Sequence, residues 1–210
     1  MDGIIYRPVA REDLDALAAL YTRYWVQSVP ALEDKMLAGR VCLLIQLVRS
    51  QFALVAEQDG AVVGVCLGSR IVDGAISEVE MWRDALDSTW TEAVERAKTA
   101  DEELEDSLFC DWRELQKADA LIASGSPYAE AQITLFMMDP QVKGRGVGGA
   151  LFSKIRGLLR EAGARRFFLM TDTQSDFEYY EHRGMKRLAS YPTVPDDPDS
   201  WAFFIYGGEL

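Results

Sequence analysis

The stretch Ile133-Thr134-Leu135-Phe136-Met137-Met138-Asp139-Pro140-Gln141-Val142-Lys143-Gly144-Arg145-Gly146-Val147-Gly148-Gly149-Ala150-Leu151 decides the fold. It begins as an apolar run of strand length, breaks at Asp139-Pro140, and passes through four glycines in six residues. It then enters an amphipathic segment, Ala150 to Glu161, in which Leu151, Phe152, Ile155, Leu158 and Leu159 share one helical face and Gly163 supplies the stop. A strand that turns through glycines into a helix makes an anion cradle. Glycine permits positive φ and lacks the Cβ that would block a ligand, and the unpaired N–H groups of the first helical turn point the same way. Lys143 and Arg145 add charge. The bare pattern Gly144-x-Gly146-x-x-Gly149 also satisfies the dinucleotide fingerprint. That reading needs the turn to follow a first strand at once, a long βαβ series after it, and an acidic residue about 20 positions on, and the sequence has none of these. Without Gly-Lys-Ser/Thr there is no nucleotide P-loop either.

Working outward, Ile4-Ile5-Tyr6 reads as a strand, and Leu14, Leu17, Leu20, Tyr21 and Tyr24 recur at helical spacing. A second helical stretch spans Leu32 to Val48, with an interruption expected near Gly39. Phe52 to Glu57 and Ala61 to Leu67 flank Asp59-Gly60, the mark of a hairpin. Residues 75 to 122 change character: Val79, Trp82, Leu86 and Trp90, then Leu104, Leu108, Trp112 and Leu115, describe amphipathic helices. Trp82, Trp90 and Trp112 are expected to anchor them. Phe167 to Met170 is a buried strand, Ser175 to Arg183 a helix ended by Gly184, and Trp201 to Tyr206 a last strand. This order predicts an α/β domain carrying a helical insertion.

Composition excludes several classes. The 210 residues are 49% hydrophobic and 27% charged, enough for one substantial core. The longest apolar stretch, Val41 to Val48, is broken by Gln46 and falls short of the roughly 20 residues that span a bilayer. No membrane association is expected. Three dispersed cysteines, Cys42, Cys66 and Cys110, and one histidine, His182, give neither a disulfide framework nor a metal site. With no secretory signal, a reducing cytoplasm is the expected compartment. The net charge is −12, and the segment Asp73 to Glu130 holds sixteen acidic against five basic residues. Such a balance opposes nucleic acid, while the basic stretch from Lys143 to Arg166 suits one small polyanion.

The segment Met137 to Leu151 resembles motif A of the GNAT superfamily of acetyl-CoA-dependent N-acetyltransferases, in which a strand and a proline precede Arg/Gln-x-x-Gly-x-Gly/Ala at the start of a helix. Tyr180-Glu181-His182-Arg183-Gly184-Met185 is similar to that family's tyrosine-bearing helix and Gly-Phe close. The resemblance covers all but residues 70 to 130. It implies a mixed α/β fold whose sheet of six or seven strands is splayed at its centre and flanked by helices. Residues 1–210 would form a single domain, with 70–130 an acidic helical insertion between the third and fourth strands.

The cofactor implied is acetyl-CoA. Main chain at Met138 would pair with its pantetheine arm, and the amides from Lys143 through Gly144, Arg145, Gly146, Val147 and Gly148, with Gly149 beside them, would hold its pyrophosphate. Thr173 stands where many members place a cofactor-contacting asparagine, and Lys143 where they place Arg or Gln; a register from Gln141 also fits.

Tyr180 matches the family's general acid. A phenol, protonated at neutral pH, suits a departing thiolate; a packing tyrosine is the competing reading. Glu130 and Asp172, flanking the two central strands, are candidate bases by location, and Thr134 and Gln132 are placed to orient a water. His182 reads as a surface residue. The activity implied is transfer of an acetyl group to a primary amine of a small molecule or protein, with a cationic acceptor favoured by the acidic insertion. A homodimer is allowed. The alternative is a non-catalytic acyl-CoA-binding or interaction module.

Overall fold

The computed structural model describes residues 3–195, 197 and 200–210, and the side chains of these apart from 109–111, so the Cys110 side chain lies outside it. Among the described residues, eight strands form one sheet: β1 (Ile4–Pro8), β2 (Phe52–Gln58), β3 (Ala61–Val72), β4 (Ala75–Ile76), β5 (Ala131–Met138), β6 (Arg166–Asp172), β7 (Lys186–Pro192) and β8 (Ala202–Glu209). Their order is β1-β2-β3-β5-β6-β8-β7, with β4 folded back on the end of β3. Every pairing is antiparallel except β5 with β6. The expected six or seven strands therefore become eight. The additional ones are β4, two residues long, and β7, an exposed edge strand whose Lys-Arg-Leu-Ala-Ser-Tyr-Pro lacks a clean alternation.

Helices cover both faces. On one side lie α1 (Leu14–Trp25), α2 (Leu32–Val48), α3 (Arg83–Ala97) and α4 (Glu102–Ala123); on the other lie α5 (Val147–Glu161) and the single turn α6 (Glu178–Glu181). The second layer packs on Ile133, Phe167 and Tyr206, with Leu151, Phe152 and Ile155 of α5 fully buried. The first layer is thicker. Trp82, Ala93, Leu104, Leu108 and Leu115 of the acidic segment join Leu17, Val41, Leu44 and Leu67 in one cluster, so that segment completes the core. Of the three tryptophans expected to anchor it, Trp82 is buried and Trp90 packs against the cluster, whereas Trp112 is exposed.

The helix α2 runs unbroken through Gly39. Every residue from Val41 through Val48 is buried, so the second half of the helix has no polar face, and a helical segment enclosed in this way need not be amphipathic. The glycine is there for closeness. A Cβ at position 39 would collide with the Thr22 hydroxyl of α1 and lie 3.3 Å from the Ala18 carbonyl oxygen. Substituting alanine for glycine inside a helix ordinarily gains up to about 1 kcal/mol, but overpacking costs roughly 1–3. Gly39→Ala should therefore lower the melting temperature, and adding Thr22→Ala should recover most of the loss. A stabilised single variant in thermal denaturation contradicts this account of the α1–α2 contact.

Candidate functional site

The site begins with one extra residue. Between β3 and β5, Leu67 faces Leu135 and Gly68 faces Ile133, so Thr134 has no partner and forms a bulge. Side-chain alternation switches there. Ala131 and Ile133 point to the α5 layer, but so do Phe136 and Met138 further along, while Leu135 and Met137 point to the α1–α4 layer. The parallel pairing of β5 with β6 consists of Gln132 with Phe168 and Ile133 with Leu169, and stops at the same point. Beyond it the two strands part. The Asp139 N–H donates to the Val63 carbonyl at 2.8 Å, which sets the antiparallel alternation. Met137 and Leu135 thus spend their main-chain groups on β3, and Phe136 and Met138 turn theirs into the gap. The Tyr24 hydroxyl of α1 donates to the Met138 carbonyl at 2.6 Å, so α1 reaches the mouth of the opening.

The glycine-rich turn lies at that mouth. Asp139 accepts the Gln141 N–H at 2.9 Å and pairs with Arg23 at 3.1 Å, fixing the exit from β5. Gly144 and Gly146 have φ of +79° and +76°, with open space where a Cβ would stand. At Gly148 a Cβ would approach Met138 Cγ to 3.2 Å and Phe136 Cζ to 3.3 Å, so this glycine seats the helix on the strand. Not every expected amide is available. The Lys143 N–H donates to the Pro140 carbonyl at 3.1 Å and the Arg145 N–H to that of Val142 at 3.3 Å. Among the described residues, the N–H groups of Gly144, Gly146, Val147, Gly148 and Gly149 meet no protein acceptor. The first regular bond of α5 is Ala150 N–H to the Gly146 carbonyl, at 3.1 Å. These five unpartnered donors belong to one turn and the N-terminus of α5. The Lys143 side chain meets Asp176 at 3.0 Å, which raises its pKa, and Arg145 donates to the Gln58 side chain at 3.0 Å.

The opposite arm of the gap holds Asp172, Thr173 and Tyr180. Oδ1 of buried Asp172 accepts the Gln174 and Ser175 N–H groups at 2.7 and 2.8 Å, shaping the turn after β6. Thr173 pairs with Ala202 through main chain, and its hydroxyl accepts the Ala202 N–H at 3.3 Å. Tyr180 is 8% exposed and sits among the rings of Tyr179, Tyr206 and Phe152, with centroids 5.4, 6.0 and 6.2 Å away. Its hydroxyl makes no hydrogen bond to a described residue. Burial pushes the phenol far up, with the Cys66 thiol, Tyr179, Asp176 and Asp172 acting in the same direction, so it holds its proton throughout the neutral range.

Glu130 is placed differently. It precedes β5, so about 13 Å of strand separates it from Thr134 at the rise of an extended chain. Its carboxylate accepts the Arg165 N–H at 2.8 Å and pairs with Arg166 at 2.9 Å, and these bonds hold its pKa below the usual range. His182 is exposed, as expected, and no cluster of described residues has the donors for a metal ion.

Two residues at the opening escaped sequence reasoning in their roles. Tyr24 reads only as one more apolar position on α1, and Ser50, buried beside the bulge, belongs to no motif. Gln132 is fully buried at the apex with neither amide atom partnered, opposite Ser69, whose hydroxyl is also unpartnered.

Comparison with known proteins agrees with this geometry. Residues 14–185 match the Acetyltransferase (GNAT) family. Many solved structures share the fold at low identity. Ard1 from Thermoplasma volcanium superposes with a TM-score of 0.54 at 18% identity, covering 99% of this chain and 98% of that one. The ribosomal-protein-S18-alanine N-acetyltransferase from Escherichia coli gives 0.55 at 12%, covering 99% and 94%. The apo form of a mutant agmatine N-acetyltransferase gives 0.56 at 15%, covering 99% and 100%. By sequence, no curated protein is significantly similar. A family match over most of the chain, joined to a splayed sheet with a bared amide turn at its mouth, places this protein in the GNAT acetyltransferase family.

Proposed function

We propose that the protein moves an acetyl group from acetyl-CoA to a primary amine by direct attack. The observation that carries this reading is the set of five unpaired amides, Gly144, Gly146, Val147, Gly148 and Gly149, opening onto a gap between two strands. Those groups suit a pyrophosphate: hydrogen bonds to a charged acceptor are worth about 1.5–3 kcal/mol each, and the positive φ at Gly144 and Gly146 keeps the approach clear. Phe136 and Met138 turn toward the gap main-chain groups that β3 does not use, with Tyr24 on the Met138 carbonyl, and such an edge suits an extended amide-bearing arm. Acetyl-CoA, when bound, supplies the acetyl group as a thioester.

The chain then needs to align the acceptor, take up its proton and protect the leaving sulfur. We assign Tyr180 to the leaving sulfur as a hydrogen-bond donor, because a buried phenol keeps its proton across the neutral range and can point it at a developing thiolate. Asp172 stands on the same arm. Its Oδ1 is taken by two main-chain donors, and Oδ2 is the oxygen we assign to the acceptor's proton, directly or through water. Glu130 has the role of tying the start of β5 to β6 through Arg166. The exposed acids of α3 and α4 favour a cationic acceptor, small molecule or protein. The second reading, a module that binds acyl-CoA without turnover, shares the cradle and lacks the chemistry.

Gly146→Val should weaken coenzyme A binding at least tenfold in calorimetry while circular dichroism shows a folded chain; unchanged affinity contradicts the cradle. Tyr180→Phe should keep that affinity and lower amine-dependent thiol release by about 100-fold, the lower range of acid catalysis. No thiol release from the parent protein across a broad amine panel would favour the non-catalytic module.

Glu130→Gln should leave turnover within about twofold and cost roughly 1 kcal/mol of stability at neutral pH. Since the folded pKa of Glu130 is depressed, that stability is present above its ordinary value of 4.5 and lost as pH falls through the folded value. The two denaturation curves should converge in acid. A large loss of turnover would return Glu130 to the reacting site.

A further inference from the structure

The bulge at Thr134 has a holder outside the sheet. Ser50 follows α2 and is 3% exposed. Its hydroxyl donates to the Gln46 carbonyl at 2.6 Å, one of the carbonyls left over at the end of α2. The same oxygen lies 2.5 Å from the Thr134 hydroxyl. The Ser50 proton is committed to Gln46, so Thr134 is the donor in that second bond. The main chain of Ser50 is fixed as well, its N–H donating to the Leu47 carbonyl at 3.1 Å. The buried C-terminal half of α2 is thus connected by two short hydrogen bonds to the single residue at which β5 leaves β6.

We propose that Ser50 is a positioning residue for the coenzyme slot: by holding the Thr134 bulge to the end of α2, it sets where β5 parts from β6 and how Phe136 and Met138 face the gap. The inference rests on the reading of that gap as the seat of the thioester arm. A bulge inserted in a ladder can in principle slip by a residue, and a slip here would reverse the alternation of every position from Leu135 to Met138. The main-chain groups of Phe136 and Met138 would then meet β3, and those of Leu135 and Met137 would take their place at the opening. The Ser50 hydroxyl bonds to Gln46 and Thr134, so its effect on the gap passes through Thr134.

The test uses Ser50→Ala, Thr134→Val, the double variant and the conservative Thr134→Ser, each in the full chain. Coenzyme A affinity is measured by calorimetry, and the KM for acetyl-CoA and for the amine in steady state. Ser50→Ala and Thr134→Val should each raise the Kd for coenzyme A and the KM for acetyl-CoA about five- to tenfold, with the amine KM unmoved. The double variant should be no worse than either single one, because both remove the same link. Thr134→Ser, which keeps the hydroxyl, should stay within twofold of the parent. A role confined to stability would lower the melting temperature and leave Kd and KM where they were, and that result overturns the proposal, as do additive losses in the double variant. If Ser50→Ala does not fold, the Thr134→Val and Thr134→Ser pair decides alone. Failure of the parent protein to bind coenzyme A at all would instead overturn the reading of the slot.

Discussion

Everything at the site follows from the refusal of β5 to stay beside β6. Parallel strands in an interior normally pair along their length, because an unpaired buried main-chain group costs about as much as a lost hydrogen bond. Here the pairing stops after Ile133 and Leu169, at the level of the Thr134 bulge. Past that level Phe136 and Met138 carry main-chain groups that β3 does not satisfy, and the Tyr24 hydroxyl caps the Met138 carbonyl at the rim. An open seam of this kind in the middle of a sheet offers a pairing edge to a peptide-like strand, and pantetheine, with its two amides, is such a strand in miniature.

The charges are arranged around the same seam. The net charge of the chain is strongly negative, yet the candidate anion site is built mainly from uncharged amides and a helix terminus: Lys143 and Arg145 of the turn are engaged with Asp176 and Gln58, and the Arg183 guanidinium lies close by, 3.1 Å from where a Cβ of Gly149 would stand. A main-chain cradle keeps its geometry regardless of what the surface carries. Tyr180 completes the arrangement from the other arm. Packing against three aromatic rings fixes its orientation and, by excluding water, secures its proton.

The glycine turn, the helix behind it and the hairpin were legible because each depends on local chemistry: positive φ at Gly144 and Gly146, a 3.6-residue repeat from Leu151 to Leu159, and Asp59-Gly60 between apolar runs. Where the structure departs from that reading, tertiary packing decided. In α2, Gly39 marks a close approach to Thr22 and not a break, which sequence spacing cannot reveal. The strand β7 is an exposed edge paired only through β8, and its composition is that of a loop. The acidic segment looks solvated from its charge, yet Ala93, Leu104, Leu108 and Leu115 of α3 and α4 are buried in the core of one layer. The two candidate bases were indistinguishable by sequence, each flanking a central strand; only the strand directions put Asp172 at the opening and Glu130 at the far end, beside Arg166. Thr134 gave no local sign of bulging, since threonine is an ordinary strand residue.

The most direct test follows the amides themselves. In a heteronuclear correlation spectrum titrated with coenzyme A, the account predicts that the largest shifts fall on Gly144, Gly146, Val147, Gly148 and Gly149, with Phe136 and Met138 moving in the same titration. Saturation with those signals unmoved, or with the largest changes elsewhere on the chain, would contradict it.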